Sequence, residues 1–347
     1  MGGGNVIEST SVIVAVLLIL AACKVGQAVL EPVVFAIFII EIAWPMQKTL
    51  RSKIGKATAL ALTVVVTTTL ALALLSVIVW GGRQVAEWVG GNLDRIQESL
   101  ISSTAWLEEH DIFVFALLSD HFDPATVVRM IHAMAIRANT IMAFAVIVLI
   151  YVVLGLGEAD ILTGRIATLK NQDASRRLIA AGRKIGVKFR TYMLVRTVAS
   201  IATGLAVWGF AVLLHLEMAG AWGVLAFALN YLPYIGSLIV TAALPLFAFV
   251  QFGSFETPLL VLLGISFIQA VIGSYLEPVF SGSALSISPP LVLFSIVLWT
   301  FLWGALGAFL GVPLMIAALT LFEEFPSTRW IADILSGGRA AAGELEA

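Results

Sequence analysis

Long apolar runs separated by polar stretches cover most of the chain. Five of them precede residue 215, and they cover residues 12–22, 28–46, 57–80, 140–156 and 192–214. A helix needs about 20 apolar residues to cross a bilayer core about 30 Å thick. Residues 221–321 are apolar again, apart from three interruptions, and leave room for about three more helices. The pattern predicts an all-α, polytopic membrane protein with about eight transmembrane helices, some of them broken in the C-terminal half.

The first run could belong to a signal peptide or to a retained helix. Residues 1–22 contain no Lys or Arg, and no clear A-x-A site precedes the next apolar run. A signal peptide has a basic start and a small-residue cleavage site. We therefore interpret residues 12–22 as part of a retained helix.

Composition excludes most soluble-protein functions. Hydrophobic residues make up 60% of the 347 and charged residues only 12%, whereas soluble domains average about 45–50% and about 25%. The net charge of −2 gives no basic surface for nucleic acid. A single cysteine, Cys23, can form neither an intrachain disulfide nor a Cys/His zinc site.

Sequence motifs for enzyme chemistry are also missing. The chain has no G-x-x-x-x-G-K-[ST] loop for ATP, no H-E-x-x-H and no G-x-S-x-G. We therefore expect a protein that is not an enzyme and that needs no cofactor and no metal.

Basic residues predict the orientation of the helices. Residues 48–56 carry four Lys or Arg and no acid, and residues 165–196 carry nine with a single acid. Lys and Arg accumulate on the cytoplasmic side of membrane proteins. Two crossings separate these segments, so both are predicted to be cytoplasmic, residues 81–139 external, and both termini inside. Residues 165–190 also have apolar positions interleaved, which is typical of a helix at an anionic lipid surface.

The pattern of residues in the predicted external segment, 81–139, indicates helices. Val85, Trp88 and Ile96 recur at helical spacing with charged residues opposite them. Asp123 followed by Pro124 is typical of a helix start, and the pattern continues through Arg137. These amphipathic helices could lie on the membrane surface, pack on the bundle or associate between subunits.

One interruption of the C-terminal apolar region is a candidate binding site. Asn230, Tyr231, Pro233, Tyr234 and Gly236 stand together in it. Proline removes a backbone donor and glycine tolerates unusual dihedral angles. Broken backbone at membrane depth must be buried in protein or line a cavity, and transporters often bind substrate at such breaks. An ordinary proline kink or a surface loop is the alternative.

Carboxylates in apolar surroundings are the second group of candidates. Glu277, followed by Pro278, comes after an apolar run and lies either inside the protein or at the membrane boundary. Glu41 stands four residues before a proline, and Glu31 is interpreted as interfacial. A carboxylate at mid-bilayer costs several kcal/mol unless it faces the protein interior, so Glu41 and Glu277 are candidates for ion coupling.

The last long helix is predicted to begin at Ser288, which serves as its cap, and Pro289. Gly304, Gly307 and Gly311 follow at short intervals, with Pro313 just beyond. Small residues on one helix face allow close packing or sliding of helices.

The C-terminal motifs, in their order and spacing, resemble those of the AI-2E transporter family, named after the export of autoinducer-2. The motifs that carry this resemblance are residues 230–236, Glu277-Pro278, Ser288-Pro289, 303–307 and 311–313, together with the basic segment leading to residues 190–192. The resemblance implies a multi-pass transporter of the bacterial inner membrane that exports autoinducer-2 or exchanges sodium for protons. It also implies a homo-oligomer, with a pentamer suspected.

We combine these expectations into one hypothesis with two alternatives. A small polar solute crosses the membrane through a C-terminal site formed by Asn230, Tyr231, Pro233, Tyr234, Gly236, Glu277 and Pro278. A sodium/proton antiporter would instead use a buried carboxylate, with Na⁺ or H⁺ as its partners, and a scaffold would not transport at all. The predicted segments are a three-helix part (1–80), an external insertion (81–139), a fourth helix with the basic segment (140–190), a transport core (191–322) and a cytoplasmic tail (323–347).

Overall fold

A computed structural model describes residues 3–99, 124–276, 279 and 287–335 of the chain, without the side chains of residues 3–9, 11–13 and 124–141. Throughout these ranges the regular structure is helical and no strand occurs. The predicted all-α, polytopic membrane fold is confirmed. Glu277, Pro278 and Asp123 lie outside the described residues.

The N-terminal part consists of α1 (Gly3–Val25), α2 (Gln27–Ile54) and α3 (Lys56–Gly91). Only Gly26 separates α1 from α2: its N–H donates to the Ala22 carbonyl oxygen and its own carbonyl accepts from Leu30. Gly55 ends α2 with φ of 85° and ψ of 169°, a conformation that glycine adopts easily because it has no Cβ.

Two long helices follow, α4 (Pro124–Ala167) and α5 (Gln172–Leu213). The predicted external helix ending at Arg137 and the fourth apolar run are therefore one helix of 44 residues. No glycine or proline stands between residues 125 and 154, so nothing in the sequence stops the helix there. Most of the basic segment likewise belongs to α5 rather than to a separate surface helix.

The C-terminal half contains shorter helices, α6 (Ala219–Leu229), α7 (Ile235–Phe252) and α8 (Glu256–Val271). A π-helical turn, Ile272–Leu276, extends α8. The last helices are α9 (Pro289–Glu324) and α10 (Arg329–Leu335), so Glu323 and Glu324 are the last residues of α9.

A break at Gly304 divides α9 into residues 289–303 and 305–324. Gly304 has φ of 64° and ψ of −141°, far from helical values. Ser295 Oγ donates to the Gly311 carbonyl oxygen across 2.7 Å, although 16 residues of straight helix would extend about 24 Å. The two halves of α9 therefore fold against each other as a hairpin. Ser288 does precede the helix as predicted, but its side chain makes no capping hydrogen bond.

Seven helices are long and apolar enough to cross a membrane within the part of the chain that the structure describes. Two shorter apolar helices, Val14–Val25 and Ala219–Leu229, accompany them. Many large apolar side chains on these helices are exposed in the isolated chain, among them Leu70 at 70% and Leu205 at 60%. Such surfaces are expected to face lipid.

The chain divides into two compact units. The first comprises Met1–Thr68, Phe144–Met193 and Gly282–Ala347, and the second comprises Thr69–Ala143 and Leu194–Ser281. The first unit has a core around Ala36, Val152 and Leu156, joined by ring contacts of Phe38 with Phe189 and Phe309. The second has a larger core, which includes Val207, Trp222, Leu244, Phe247, Val261 and Ile265.

Candidate functional site

The interruption between α6 and α7 occupies residues 230–234 in the second unit. α6 stops at Leu229, where Pro233 four residues later cannot supply the N–H that would continue the helix. The N–H of Leu232 bonds to the Leu229 carbonyl oxygen instead, across 2.8 Å, and that of Gly236 bonds to the Leu232 carbonyl oxygen across 2.9 Å. The interruption of the apolar region that was predicted here is thus a tight turn held by backbone hydrogen bonds.

Close packing and backbone strain hold this turn in place. A Cβ atom at Gly236 would collide with the backbone carbonyl group of Leu229, so the start of α7 lies directly against the end of α6. Tyr234 has φ of 62°, which costs a non-glycine residue about 1–3 kcal/mol. Pro233 is buried, whereas the side chain of Tyr234 is half exposed.

Two polar side chains of the turn bind hydroxyl groups on α5. Asn230 Nδ2 donates to Ser200 Oγ across 3.2 Å, and Tyr231 Oη donates to Thr197 Oγ1 across 3.0 Å. Asn230 and Ser200 are both buried. The turn therefore places an amide and a phenol against α5 in otherwise apolar surroundings.

The hydroxyl partners belong to a polar stripe along α5, which we define as Arg196, Thr197, Ser200 and Thr203. Arg196, Ser200 and Thr203 are buried. The sequence analysis missed the stripe as a site, although Arg196, Ser200 and Thr203 recur three or four residues apart in an apolar run. This spacing puts them on one side of a helix, but the sequence does not indicate what that side faces.

Some buried polar atoms of the second unit have no hydrogen-bond partner among the described residues. They are Thr203 Oγ1, Trp222 Nε1 and Gln269 Nε2. An unmade hydrogen bond of a buried group costs about 1–3 kcal/mol. Such groups are suited to bind a polar solute, because the solute would supply the missing partner.

Glycines bring α5 and α6 together beside the stripe. A Cβ atom at Gly204 would lie 2.9 Å from the Gly223 carbonyl oxygen, and a Cβ atom at Gly223 would lie 2.9 Å from the Gly204 carbonyl oxygen. The two backbones therefore touch at this pair, and only glycine fits on either side.

Glu41, in the first unit, has the side chain of Arg190 from α5 beside it. Pro45 has no N–H for the Glu41 carbonyl oxygen, and Arg190 Nη1 donates to that oxygen across 2.9 Å. The carboxylate lies against Gly186, and a Cβ atom there would collide with Glu41 Oε2. Arg190 thus compensates for the proline, and a part for Glu41 in ion coupling stays a prediction.

Gly307, Gly311 and Pro313 also belong to the first unit, where all three are buried in the hairpin of α9. A Cβ atom at Gly307 would collide with the Trp299 carbonyl oxygen, and one at Gly311 would lie 3.1 Å from Ile296 Cα. These glycines therefore allow the two halves of one helix to meet. At Gly304, which supplies the bend, a Cβ atom would have no atom within 4 Å in the part of the chain that the structure describes.

Metal binding finds no support in the described ranges, where no group of three or more His, Cys, Asp or Glu side chains could hold an ion. Glu277 and Pro278, as part of the predicted pathway, stay predictions.

Known proteins resemble the chain, two of those described here over nearly its whole length. The family model described as AI-2E family transporter matches residues 13–327. The AI-2 transport protein TqsA of Escherichia coli K12 is 28% identical over 326 residues, which cover 92% of each chain. A putative transport protein of Haemophilus influenzae is 25% identical over 93% of this chain and 94% of its own. A putative transport protein of Escherichia coli K12, YhhT, is 34% identical over 43% of this chain and 42% of its own.

Proposed function

Because the chain belongs to the family of AI-2E transporters, we propose that it carries a small, uncharged polar solute such as autoinducer-2 across the bacterial inner membrane. We place the solute site at the α6–α7 turn and the polar stripe of α5. The relative named for AI-2 transport, similar over 92% of the chain, supports this solute class.

The chemistry of the turn favours a hydroxyl-rich solute. Asn230 and Tyr231 provide an amide and a phenol, and Thr197, Ser200 and Thr203 provide hydroxyl groups. These groups both donate and accept hydrogen bonds, so they can exchange their mutual bonds for bonds to hydroxyls of a solute. The pairing of Asn230 with Ser200, buried inside an apolar unit, is the observation that carries the proposal.

Flux through reconstituted liposomes tests the proposal. Autoinducer-2 efflux is measured for the wild-type protein, Asn230→Ala, Tyr231→Phe and the control Ser76→Ala. Among the described residues, Ser76 Oγ bonds only to the Leu72 carbonyl of its own helix, so Ser76→Ala keeps wild-type flux. Loss of one hydrogen bond of about 1 kcal/mol slows flux about five-fold in the two site variants. Wild-type flux in both of them would refute the site.

Imposed ion gradients distinguish this function from its alternatives. In a sodium/proton antiporter, Glu277→Gln or Glu41→Gln abolishes ion exchange, while Tyr231→Phe has little effect. In the proposed carrier, solute flux depends on Tyr231 even when no ion gradient is present. A scaffold shows no flux of any tested solute or ion, with or without these substitutions.

A further inference from the structure

The break in α9 ends a helix inside the first unit. Residues 289–303 form a half-helix about 22 Å long, which is shorter than a bilayer core. The last carbonyl groups of a helix lack intrahelical donors, and the helix dipole adds about half a negative charge at this end. Phe301 and Leu302, which precede Gly304 by three and two residues, belong to this terminus.

A positive charge of the same chain sits on these carbonyl groups. Lys24 Nζ donates to the Phe301 and Leu302 carbonyl oxygens, each across 2.9 Å. The ammonium group also lies 5.6 Å from the centre of the Phe301 ring, a distance typical of a cation–π interaction. Two carbonyl oxygens and a ring face therefore surround one monovalent cation.

Neighbouring groups fix this arrangement from α1 and α2. Trp303 Nε1 donates to the Cys23 carbonyl oxygen across 3.0 Å, which holds the end of α1 beside the break. Gln27 Nε2 donates to Glu31 Oε2 across 3.3 Å, and the Glu31 carboxylate attracts the Lys24 ammonium. Lys24, Gln27 and Glu31 follow one another at helical spacing, so their side chains lie along one side of the chain.

We propose that the break in α9 is a binding site for a small monovalent cation, which the Lys24 ammonium group of the same chain fills. Carbonyl oxygens at the C-terminal ends of broken helices are suited to coordinate such cations. Lys24 and Phe301 are both exposed, the latter at 73%. The described residues therefore do not enclose the site, and the proposal requires that a free cation enters it once the ammonium group is removed.

The site uses only residues of the first unit and is independent of the proposed solute site. The proposal predicts that Lys24 stabilises the protein through its positive charge and its N–H donors. If Lys24 only extended toward the headgroup region, an uncharged side chain could replace it. The variant would then show no response to added cations.

Thermal unfolding of the full chain in nanodiscs tests the site with methylammonium chloride as the probe. The wild-type protein, Lys24→Met and Lys24→Arg are compared in methylammonium, potassium and choline chloride at one ionic strength. We expect a lower midpoint for Lys24→Met in choline, and a saturable rise with methylammonium or potassium. Choline is too large to approach both carbonyl oxygens. Wild-type protein and Lys24→Arg show no such cation dependence.

Cys23 is the only cysteine of the chain. It can be labelled without introducing another cysteine, and its labelling rate gives a second readout of the site. Maleimide modification of Cys23 is expected to be faster in Lys24→Met and slower again in methylammonium. Trp303→Phe is the matched control, because it removes the bond to the Cys23 carbonyl but keeps the ammonium on its two oxygens. Its modification rate does not depend on the cation.

Three outcomes overturn the proposal. They are a midpoint and labelling rate of Lys24→Met that match the wild type, a response of Lys24→Met to choline as strong as its response to methylammonium, and the same cation dependence in Trp303→Phe. Should Lys24→Met fail to fold, preparation in methylammonium restores folded protein if the site exists and does not restore it otherwise.

Discussion

Arg190 donates a hydrogen bond to the main-chain carbonyl oxygen of Glu41, across 2.9 Å. In an uninterrupted helix this oxygen would accept the N–H of residue 45, which is a proline. A side chain from α5 therefore replaces a backbone donor that α2 lacks. This relationship makes a quantitative prediction about stability.

Arg190→Met is expected to destabilise the protein by about 1–3 kcal/mol, because it leaves a half-buried carbonyl group without its donor. In a Pro45→Ala background the residue 45 N–H can bond to the Glu41 oxygen, so the same substitution costs less. Denaturant unfolding in detergent measures this double-mutant cycle.

Arg183→Met is the control for this cycle, since Arg183 is an exposed arginine of the same helix. It should have the same small effect in both backgrounds. An equal cost of Arg190→Met with and without Pro45 would show that the arginine acts in another way.

Thr203→Val is expected to slow solute flux without destabilising the protein. The Thr203 hydroxyl is fully buried and has no hydrogen-bond partner among the described residues, so its removal eliminates a desolvated polar group. Flux falls if the solute is its partner. Liposome efflux and thermal unfolding are measured on the same preparations.

Thr63→Val provides the comparison, because Thr63 is equally buried and its hydroxyl also lacks a partner in the described ranges. Thr63 lies in the first unit, away from the polar stripe in sequence. Equal loss of flux in both variants, or full flux in Thr203→Val, would contradict a role of Thr203 in solute binding.

Gly236→Ala is expected to reduce both folded yield and flux. The added methyl group would collide with the Leu229 carbonyl group, and such overpacking typically costs about 1–3 kcal/mol. For Gly209→Ala, on α5, the added methyl group has no atom of the described residues within 4 Å, so this variant should be neutral or slightly stabilising. Size-exclusion profiles and thermal midpoints of the two variants test the difference.

The predicted cytoplasmic end of α9 is joined to α5 by charge pairs. Lys188 Nζ contacts Glu323 Oε2 across 3.1 Å and donates to Thr320 Oγ1 across 3.0 Å, and Lys184 pairs with Glu324. Lys188→Glu places like charges beside Glu323 and is expected to destabilise this contact. Combining Lys188→Glu with Glu323→Lys is expected to restore the contact in part.

The pair of Lys188 and Glu323 is partly exposed, so its contribution should stay below about 1 kcal/mol and decrease with salt. Unfolding midpoints of the single and double variants at low and high salt measure it. Additive effects of the two substitutions at low salt would mean that the pair does not interact.

The positions of several breaks could be predicted from single residues. Pro289 marks the start of α9 and Pro233 ends α6, because proline lacks the N–H that a preceding helical turn requires. The sequence analysis predicted a helix through Arg137 and an apolar run from residue 140, and in the structure a single continuous helix contains both.

The partners of the polar groups could not be predicted in the same way. Ser200 and Thr203 show helical spacing in the sequence, yet nothing in the sequence indicates that Asn230 lies opposite Ser200. Lys24 and Leu302 are 278 residues apart. Such pairs depend on how helices pack, and many alternative packings satisfy the same apolar pattern.

The amino-acid sequence by itself determined the helical class, the membrane environment and the approximate positions of the spans. In a bilayer each backbone N–H and C=O must be satisfied within its own segment, so hydropathy and length suffice for these features. Tertiary structure alone decided that α9 folds back at Gly304, that Arg190 replaces the donor missing at Pro45, and that Asn230 meets Ser200. Each of these depends on contacts between residues far apart in the chain, where shape and hydrogen bonding rather than hydropathy select the partner.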